Sequence, residues 1–339
     1  MSYVLGIDAG GTRTMALLAT ADGKAIAAGA GGPGNFQAVG EDAARASIEA
    51  AIDAALAAAP DGSVAREQVA AVAAGLAGMH VPADYERFTA LVGRLLPAGR
   101  VRIYNDGEVA LAAATGGREG IVVVAGTGSI AYGADCSGRH LRCGGWGYII
   151  GDEGSAYAIA RQALRAASCT ADGRAPASTL VDAFTTALGV PAFDDILRPV
   201  YGPPATTRHQ LAALAPLVTQ CAADGDAAAQ AVLAEAGEDL AALAVTLAQR
   251  LDLGAEPFLV ACSGGVWKAR ELVLEPFRQR VLAAYPLAHI RSPLLTPVAG
   301  AALLAIGLLT AEPPDTTVVV NLRATHAYGA SRSATLGYR

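Results

Sequence analysis

Two stretches of this chain share one format: GIDAGGTRTMALLATADGK at 6–24 and VVVAGTGSIAYGADCSGR at 122–139. In the first, an apolar run from Tyr3 to Asp8 stops at Gly10-Gly11. It resumes from Arg13 to Thr20, turns at Ala21-Asp22-Gly23, and resumes again from Ala25 to Gly29. Short apolar runs bounded by Gly, Asp and Thr predict strands joined by tight turns. The second stretch gives a strand Gly120 to Ala125, the turn Gly126-Thr127-Gly128-Ser129 and a strand Ile130 to Ala134. A turn from Cys136 to Arg139 and a weak third strand around His140 to Arg142 follow. The copies lie about 115 residues apart. The chain therefore reads as a duplicated domain, each copy led by a glycine hairpin.

A strand–turn–strand is neither a Walker loop nor a Rossmann fingerprint, since both need a helix directly after the glycines. Its backbone still suits phosphate. Gly10, Gly11 and Thr12 can aim N–H groups into one concavity, and the threonine hydroxyls add donors. Asp8, at the strand's end, is placed to hold Mg²⁺ through water. An ordinary hairpin with a Gly-Gly turn accounts for the same residues, and both readings stand.

Beyond the second hairpin runs CGGWGYIIGDEGSAY, residues 143–157. Glycines supply nothing to bury and cost conformational entropy, so a core element has little use for so many. A surface linker has no use for Trp146, Tyr148, Ile149 and Ile150. Backbone that lets something approach, an aromatic wall and the acidic pair Asp152-Glu153 read together as the lining of a polar small-molecule site. The rival reading is a tight turn whose aromatic side chains plug the core.

Between the copies, GGPGN at 31–35 is a loop in which Asn35 is a turn residue or a ligand contact. Glu41 to Ala59 is a predicted helix with Ile48, Ile52, Ala55 and Leu56 on one face. Gln68 to Leu76 is a buried strand ending in the loop Gly75 to His80, Ala83 to Leu96 a helix, and Val101 to Tyr104 a strand. That strand meets Asn105-Asp106-Gly107 and a helix over 108–114. A carboxylate there sits in the positive potential of a helix start and at the carboxyl end of a strand, where open α/β sheets bind ligands. Asp106 as a plain helix N-cap explains it equally. After 154 the sequence is mostly helical to Leu251, with breaks at Gly189-Val190-Pro191, Tyr201 to Pro204 and Asp224-Gly225-Asp226. The strand Pro257 to Cys262 closes on Ser263-Gly264-Gly265 before a helix Lys268 to Ala284, a flat backbone on which a base or ribose can rest. A last strand, Leu287 to Ile290, precedes the small-residue helix Pro297 to Leu309. The tail from Glu312 carries the strand-like run Thr317 to Leu322.

Composition narrows the function. The 339 residues carry 25 Lys+Arg against 31 Asp+Glu, a net charge of −6, with no basic cluster. Nucleic-acid and anionic-membrane partners are therefore disfavoured. No apolar run approaches the roughly 20 residues of a spanning helix. MSYVLGIDAGG does not read as a secretory leader. Five cysteines (136, 143, 169, 221, 262) in irregular spacing without a CxxC pair argue against a zinc site or a disulfide framework. A reducing cytoplasm fits best.

Together these pieces resemble the sugar-kinase branch of the actin, hexokinase and heat-shock chaperone superfamily. Within it they resemble the N-acetylglucosamine kinases of the group that also holds the benzoyl-CoA-reductase activator ATPases. The resemblance runs from Gly6 to about Leu309. GGWGYIIGDEGSAYAIARQAL at 144–164 carries it most specifically, with GTGS at 126–129, GIDAGGTRT at 6–14 and SGGVWK at 263–268 in the same order. It implies an α/β fold of two duplicated actin-like (ribonuclease H-like) domains with an interdomain active-site cleft. The first domain would span 1–116 with a return segment from about 298 to 339, and the second 117–297.

The resemblance further implies ATP and Mg²⁺ as cofactors, an amino sugar as substrate, and a homodimer. ATP phosphates would meet Gly10, Gly11, Thr12 and Arg13, with Thr14 close by, then Thr127 and Gly128. Adenosine would meet Gly264 and Gly265, Ala222 would approach the nucleotide, and Asp8 would stand beside the metal. Asp106 would be the general base. Asn35, Gly78, Gly128, Trp146, Gly147 and Asp152 would hold the sugar along with Asp106. GLAGMH carries Ala77 where vertebrate members carry a serine, and the activators' iron–sulfur cysteines have no counterpart in the glycine motifs. The implied reaction is transfer of the γ-phosphate of ATP to the 6-hydroxyl of N-acetylglucosamine or a relative, with glucosamine and N-acetylmuramic acid as alternatives. A non-catalytic ATP- or sugar-binding sensor would lack a base, and Asp106 argues against it. A chaperone ATPase would need a substrate domain after residue 310.

Overall fold

The computed structural model describes residues 2–60, 64–79, 81–203, 206–310 and 314–333. Two units account for the chain, Met1–Arg118 with Pro293–Arg339, and Glu119–Ser292. His80 of the loop after Gly75, Pro204 at the end of the second helical break and Glu312 at the start of the tail lie outside the described residues.

In the first unit β1 (Tyr3–Ala9), β2 (Thr14–Thr20) and β3 (Ala25–Gly31) form an antiparallel meander. The short helix α1 (Phe36–Val39) and the 17-residue α2 (Glu41–Ala57) follow, then β4 (Val69–Leu76), α3 (Pro82–Leu95), β5 (Arg100–Asn105) and α4 (Asp106–Thr115). The sheet order is β3-β2-β1-β4-β5, with β4 parallel to β1 and β5 parallel to β4. Central strands covered on both faces need near-continuous apolar runs, and β1 and β4 have them. Ile48, Ile52, Ala55 and Leu56 of α2 and Phe88, Leu91 and Val92 of α3 bury against one face.

The second unit repeats the design. β6 (Gly120–Ala125), β7 (Ser129–Ala134) and β8 (His140–Gly144) are an antiparallel meander, and the sheet reads β8-β7-β6-β9-β10 with the last two pairings parallel. Among the described residues, six α-helices stand between β8 and β9 (Phe258–Ser263): α5 (Ala156–Ala171), α6 (Leu180–Leu188), α7 (Leu197–Tyr201), α8 (Arg208–Ala212), α9 (Ala215–Ala223) and α10 (Ala227–Arg250). Asp226 caps α10, accepting from the Ala229 N–H at 2.9 Å, and its other oxygen accepts from Thr179 Oγ1 at 2.9 Å. The glycines after β9 lead into a 3₁₀ turn, Gly265–Ala269. Arg270 (φ 52°) then breaks the chain before α11 (Glu271–Ala284) and β10 (Ala288–Arg291).

The chain then returns to the first unit. α12 (Pro297–Thr310) packs on β1, β4 and α4. A side chain on Gly6 would overlap the backbone of Ala301 and Ala302, so the small-residue stripe works at backbone-to-backbone range. The strand expected over Thr317 to Leu322 is instead part of α13 (Thr316–Ser333). β-branched residues favour strands, but capping and packing override that preference here. Asp315 accepts from the Val318 N–H at 3.0 Å, as an N-cap does, and Leu322 is wholly buried among α12 and sheet residues. Asn321 Nδ2 donates to the Asp22 carbonyl at 2.7 Å, and the Ala25 N–H donates to Thr325 Oγ1 at 2.8 Å, tying α13 to the β2–β3 turn. No helix among the described residues is long and apolar enough to cross a membrane.

Candidate active site

The first hairpin turns over Gly10–Arg13, closed by Gly10 N–H donating to the Arg13 carbonyl at 3.0 Å. Gly11, Thr12 and Arg13 are exposed, whereas Thr14 is fully buried and its hydroxyl has no hydrogen-bond partner. Of the two threonines, Thr12 is therefore the one presented to a ligand. Two loops brace the turn: Gly34 N–H donates to the Gly10 carbonyl at 2.9 Å, and Ala77 N–H to the Ala9 carbonyl at 3.0 Å. Asp8 sits at the end of β1 paired with Met15 and Gly75. Burial and the negative charge of Asp106 push its carboxyl up to about 6, against a smaller opposing pull from Arg13.

Asp106 is exposed at the first position of α4. The cap is Asn105, whose Oδ1 accepts from the Gly107 N–H at 2.9 Å, while Glu108 reaches back to the Asn105 N–H at 2.8 Å. That reciprocal capping box meets the helix's needs, so the N-cap reading of Asp106 falls away. Asp106 Oδ1 accepts from the Gly107 N–H at 3.0 Å. Asn105 Nδ2 donates to the Met79 carbonyl at 3.1 Å, and Gln37 Nε2 to the Gly78 carbonyl at 2.8 Å. Asn35 caps α1 through the Gln37 N–H, and a side chain on Gly78 would meet its Oδ1 at 2.9 Å. Asn35, Gly78 and Asp106 thus belong to one connected polar face. Gln37, which fastens the Gly78 loop, escaped sequence reasoning because it sits inside a four-residue helix with no periodic signal.

The second hairpin is held differently. Gly126 N–H donates to the Gly128 carbonyl at 2.9 Å, and Ala156 N–H, at the start of α5, donates to the Gly126 carbonyl at 2.9 Å. Ser129 Oγ donates to the Glu153 carbonyl at 2.6 Å. Thr127 Oγ1 lies 3.5 Å from His209 Nδ1. Asp152 is only 3% exposed and in the left-handed region (φ 61°), a strain typical of functional positions. Its Oδ1 accepts from the Ser129 N–H at 3.3 Å, and its Oδ2 is ion-paired with Arg208 Nη2 at 2.6 Å. A side chain on Gly128 would collide with that pair. Gly154 also needs to be glycine: φ is +70° and a Cβ would lie 2.6 Å from the Ala236 carbonyl.

The aromatic wall faces outward. Trp146 is 64% exposed and Ile149 and Ile150 more so, which overturns the core-plug reading. Arg142 stacks over Trp146 at 4.6 Å and Arg208 over Tyr148 at 5.3 Å. Gly147 borders open space. Arg208 lies 56 residues from Asp152 in a short helix, and no local pattern marked it.

At the end of β9, Gly264 (φ +108°) presses against the Ala125 backbone at the end of β6, and Gly265 borders open space. Ala222 is 1% exposed within the helical core, and its carbonyl accepts from Gln230 Nε2 at 3.0 Å, so its side chain is not presented to a ligand. Its helix, α9, touches the 3₁₀ turn that begins at Gly265. Burial pushes the Cys262 thiol up to about 12 and also raises that of Cys143, so neither is a ready thiolate. Among the described residues no group of three or more His, Cys, Asp or Glu side chains could hold a metal ion.

Two units of one strand order, each opening on a glycine hairpin, make this a protein of two actin-like α/β domains. Residues 5–305 match the profile of the BadF/BadG/BcrA/BcrD ATPase family. An N-acetylmuramic acid/N-acetylglucosamine kinase from Clostridium acetobutylicum is 30% identical over 90% of this chain and 98% of its own length. An N-acetyl-D-glucosamine kinase from Dictyostelium discoideum is 29% identical over 89% and 97%. The solved structure of a candidate N-acetylglucosamine kinase from Chromobacterium violaceum superposes with a TM-score of 0.70 at 30% identity, covering 90% of this chain and 99% of that one. The chain belongs to the BadF/BadG/BcrA/BcrD ATPase family.

Proposed function

We propose that this protein is an ATP-dependent kinase that transfers the γ-phosphate of Mg·ATP to the 6-hydroxyl of N-acetylglucosamine or a closely related amino sugar. Membership of an ATPase family and the amino-sugar kinases among its relatives support the phosphotransferase class. The observation that carries the mechanism is Asp106: an exposed carboxylate, relieved of capping by Asn105, on the same polar face as Asn35 and Gly78.

Phosphoryl transfer asks for positioning and charge stabilisation more than for covalent chemistry. Asp106 takes the proton from the attacking hydroxyl as its bond to phosphorus forms, a contribution typically of about 10²- to 10⁴-fold. Gly10, Gly11, Thr12 and Arg13 bind phosphate in the first hairpin, and Thr127 and Gly128 in the second. Gly264 and Gly265 offer backbone to the adenosine. Asn35, Gly78, Gly128, Trp146, Gly147 and Asp152 hold the sugar. The residues fit a magnesium ion, because burial and the negative charge of Asp106 leave Asp8 in need of a cation, and Mg²⁺ asks for only one or two protein carboxylates. Mg²⁺ held by Asp8 through water would supply charge neutralisation for the phosphates.

The reading takes the protein as a cytoplasmic homodimer, which light scattering on the eluted protein checks. Product analysis tests the reaction itself. Phosphorus–proton coupling in the NMR spectrum of the product should place the phosphate on C6; a 1-phosphate would overturn the assignment of the acceptor hydroxyl.

A further inference from the structure

The geometry points to His209 as a positioning residue of the second hairpin, whose imidazole turns the Thr127 hydroxyl proton towards a nucleotide phosphate. The inference rests on the reading of Thr127 as a phosphate-binding residue. His209 lies 82 residues further along the chain, in a helix of five residues, and no local pattern marked it.

Backbone N–H groups in a turn have fixed directions, but a threonine hydroxyl does not. It carries one proton and two acceptor lone pairs, and it rotates to suit its surroundings. A phosphate oxygen only accepts, so the hydroxyl helps when its proton faces the anion and repels when a lone pair does. His209 Nδ1 lies 3.5 Å from Thr127 Oγ1. With a hydrogen on Nδ1, the ring donates to Oγ1 and leaves the threonine proton for the phosphate. A bare Nδ1 would take that proton instead. The imidazolium and one neutral tautomer both carry the Nδ1 hydrogen, and a bound anion favours them because they leave it a donor. The contact is long for a hydrogen bond, as active-site contacts often are until substrate tightens them.

Two consecutive residues of α8 meet the same turn. Arg208 Nη2 pairs with Asp152 Oδ2 at 2.6 Å, and Asp152 Oδ1 accepts from the Ser129 N–H at 3.3 Å. A side chain on Gly128 would collide with that pair, so α8 lies directly against the hairpin. Thr207 and Gln210 close a capping box around the start of α8. The helix also packs on α5, whose Ala156 N–H holds the Gly126 carbonyl. His209 is thereby fixed beside Thr127 while its side chain stays exposed. An exposed imidazole can hydrogen-bond to water instead, so folding does not require this contact.

The test is calorimetric binding of Mg²⁺ with the β,γ-imido analogue of ATP and, separately, of N-acetylglucosamine, alongside turnover. His209→Ala should weaken binding of the analogue roughly 10-fold and leave sugar affinity and the thermal unfolding midpoint in place. His209→Asn, whose amide nitrogen falls near the position of Nδ1, should restore most of the loss. His209→Gln, whose amide nitrogen falls near Nε2, should not. In a Thr127→Val background, which has no hydroxyl to orient, His209→Ala should add less than about twofold. Wild-type affinity in His209→Ala, an equal loss with and without the Thr127 hydroxyl, or no difference between Asn and Gln overturns the inference. Coupled losses with Asn rescue, in a protein that phosphorylates no sugar, would support it while refuting the kinase reading. Sugar phosphorylation with wild-type nucleotide affinity in His209→Ala would do the reverse.

Discussion

The two units share a strand order and differ in what they put at its mouth. At the end of β1 stands Asp8; at the corresponding step of β6, two residues before the first turn glycine, stands Val124. The first unit adds the exposed Asp106 at the end of β5, and these two carboxylates repel, with the consequence visible at Asp8. The second unit instead pairs its buried Asp152 with Arg208 and surrounds it with exposed aromatic rings. The first hairpin is exposed at its tip, while the second is tied to α5 and to the Glu153 carbonyl. One backbone plan has thus been given two mutually repelling carboxylates in one copy and an ion-paired acid beside exposed aromatic rings in the other. Under the proposed function, that contrast would leave metal and proton handling to the carboxylates of the first unit.

The contrast breaks most visibly at Asp106. Asp106→Asn should lower kcat by about 10²- to 10⁴-fold while leaving the thermal unfolding midpoint nearly unchanged. Retention of more than about a tenth of wild-type turnover would shift suspicion to Asp152 and erase the proposed division. Leu322→Ala should cost roughly 2–4 kcal/mol in denaturant unfolding of the first unit, because a fully buried leucine on α13 leaves a cavity. A cost near zero would mean that α13 does not contribute to that core.

Gly154→Ala and Gly11→Ala compare the two mouths by backbone alone. Gly154 has positive φ and no room for a Cβ, so the substitution should destabilise by about 2–3 kcal/mol. Gly11 has neither restriction and should stay within about 0.5 kcal/mol, with any loss appearing in the KM for ATP.

Asp8 gives a modest effect on stability and a signed one. Its carboxyl rises from 3.8 unfolded to about 6 folded. Between those values the native state keeps a proton that the unfolded state has lost. Stability from this group is therefore full below pH 3.8 and is lost as pH rises through about 6. Asp8→Asn should flatten that fall and gain on the order of 1–2 kcal/mol at neutral pH without metal, while weakening the Mg²⁺ dependence of activity. An unchanged pH–stability curve would show that Asp8 is not charge-stressed. Val124, lacking a titratable group, sets the expectation of no such effect in the second unit.

Much of this was legible in the sequence. Both hairpins are marked by glycine punctuation of apolar runs, and β6 falls at its predicted limits, Gly120–Ala125. The exposure of Trp146, Ile149 and Ile150 follows from the glycine density around them. What was not legible depends on distant partners. Arg208 reaches Asp152 only through the fold. The burial of Thr14 is decided by the loop at Gly34, whose Cα position leaves no room above its hydroxyl. The Val-rich run of α13 reads as a strand until Asp315 caps it and Leu322 finds the surface of α12. Asp106 was ambiguous because Asn and Asp are equally good caps, and only Glu108 reaching back to the Asn105 N–H shows which one caps.

The most direct measurement is coupled ADP release from Mg·ATP with glucose, glucosamine, N-acetylglucosamine, N-acetylmannosamine and N-acetylmuramic acid supplied one at a time. The predicted result is ADP release that depends on an N-acetylated amino sugar and far exceeds the rate with glucose. Release with none of the five would contradict the assignment of this protein as an amino-sugar kinase.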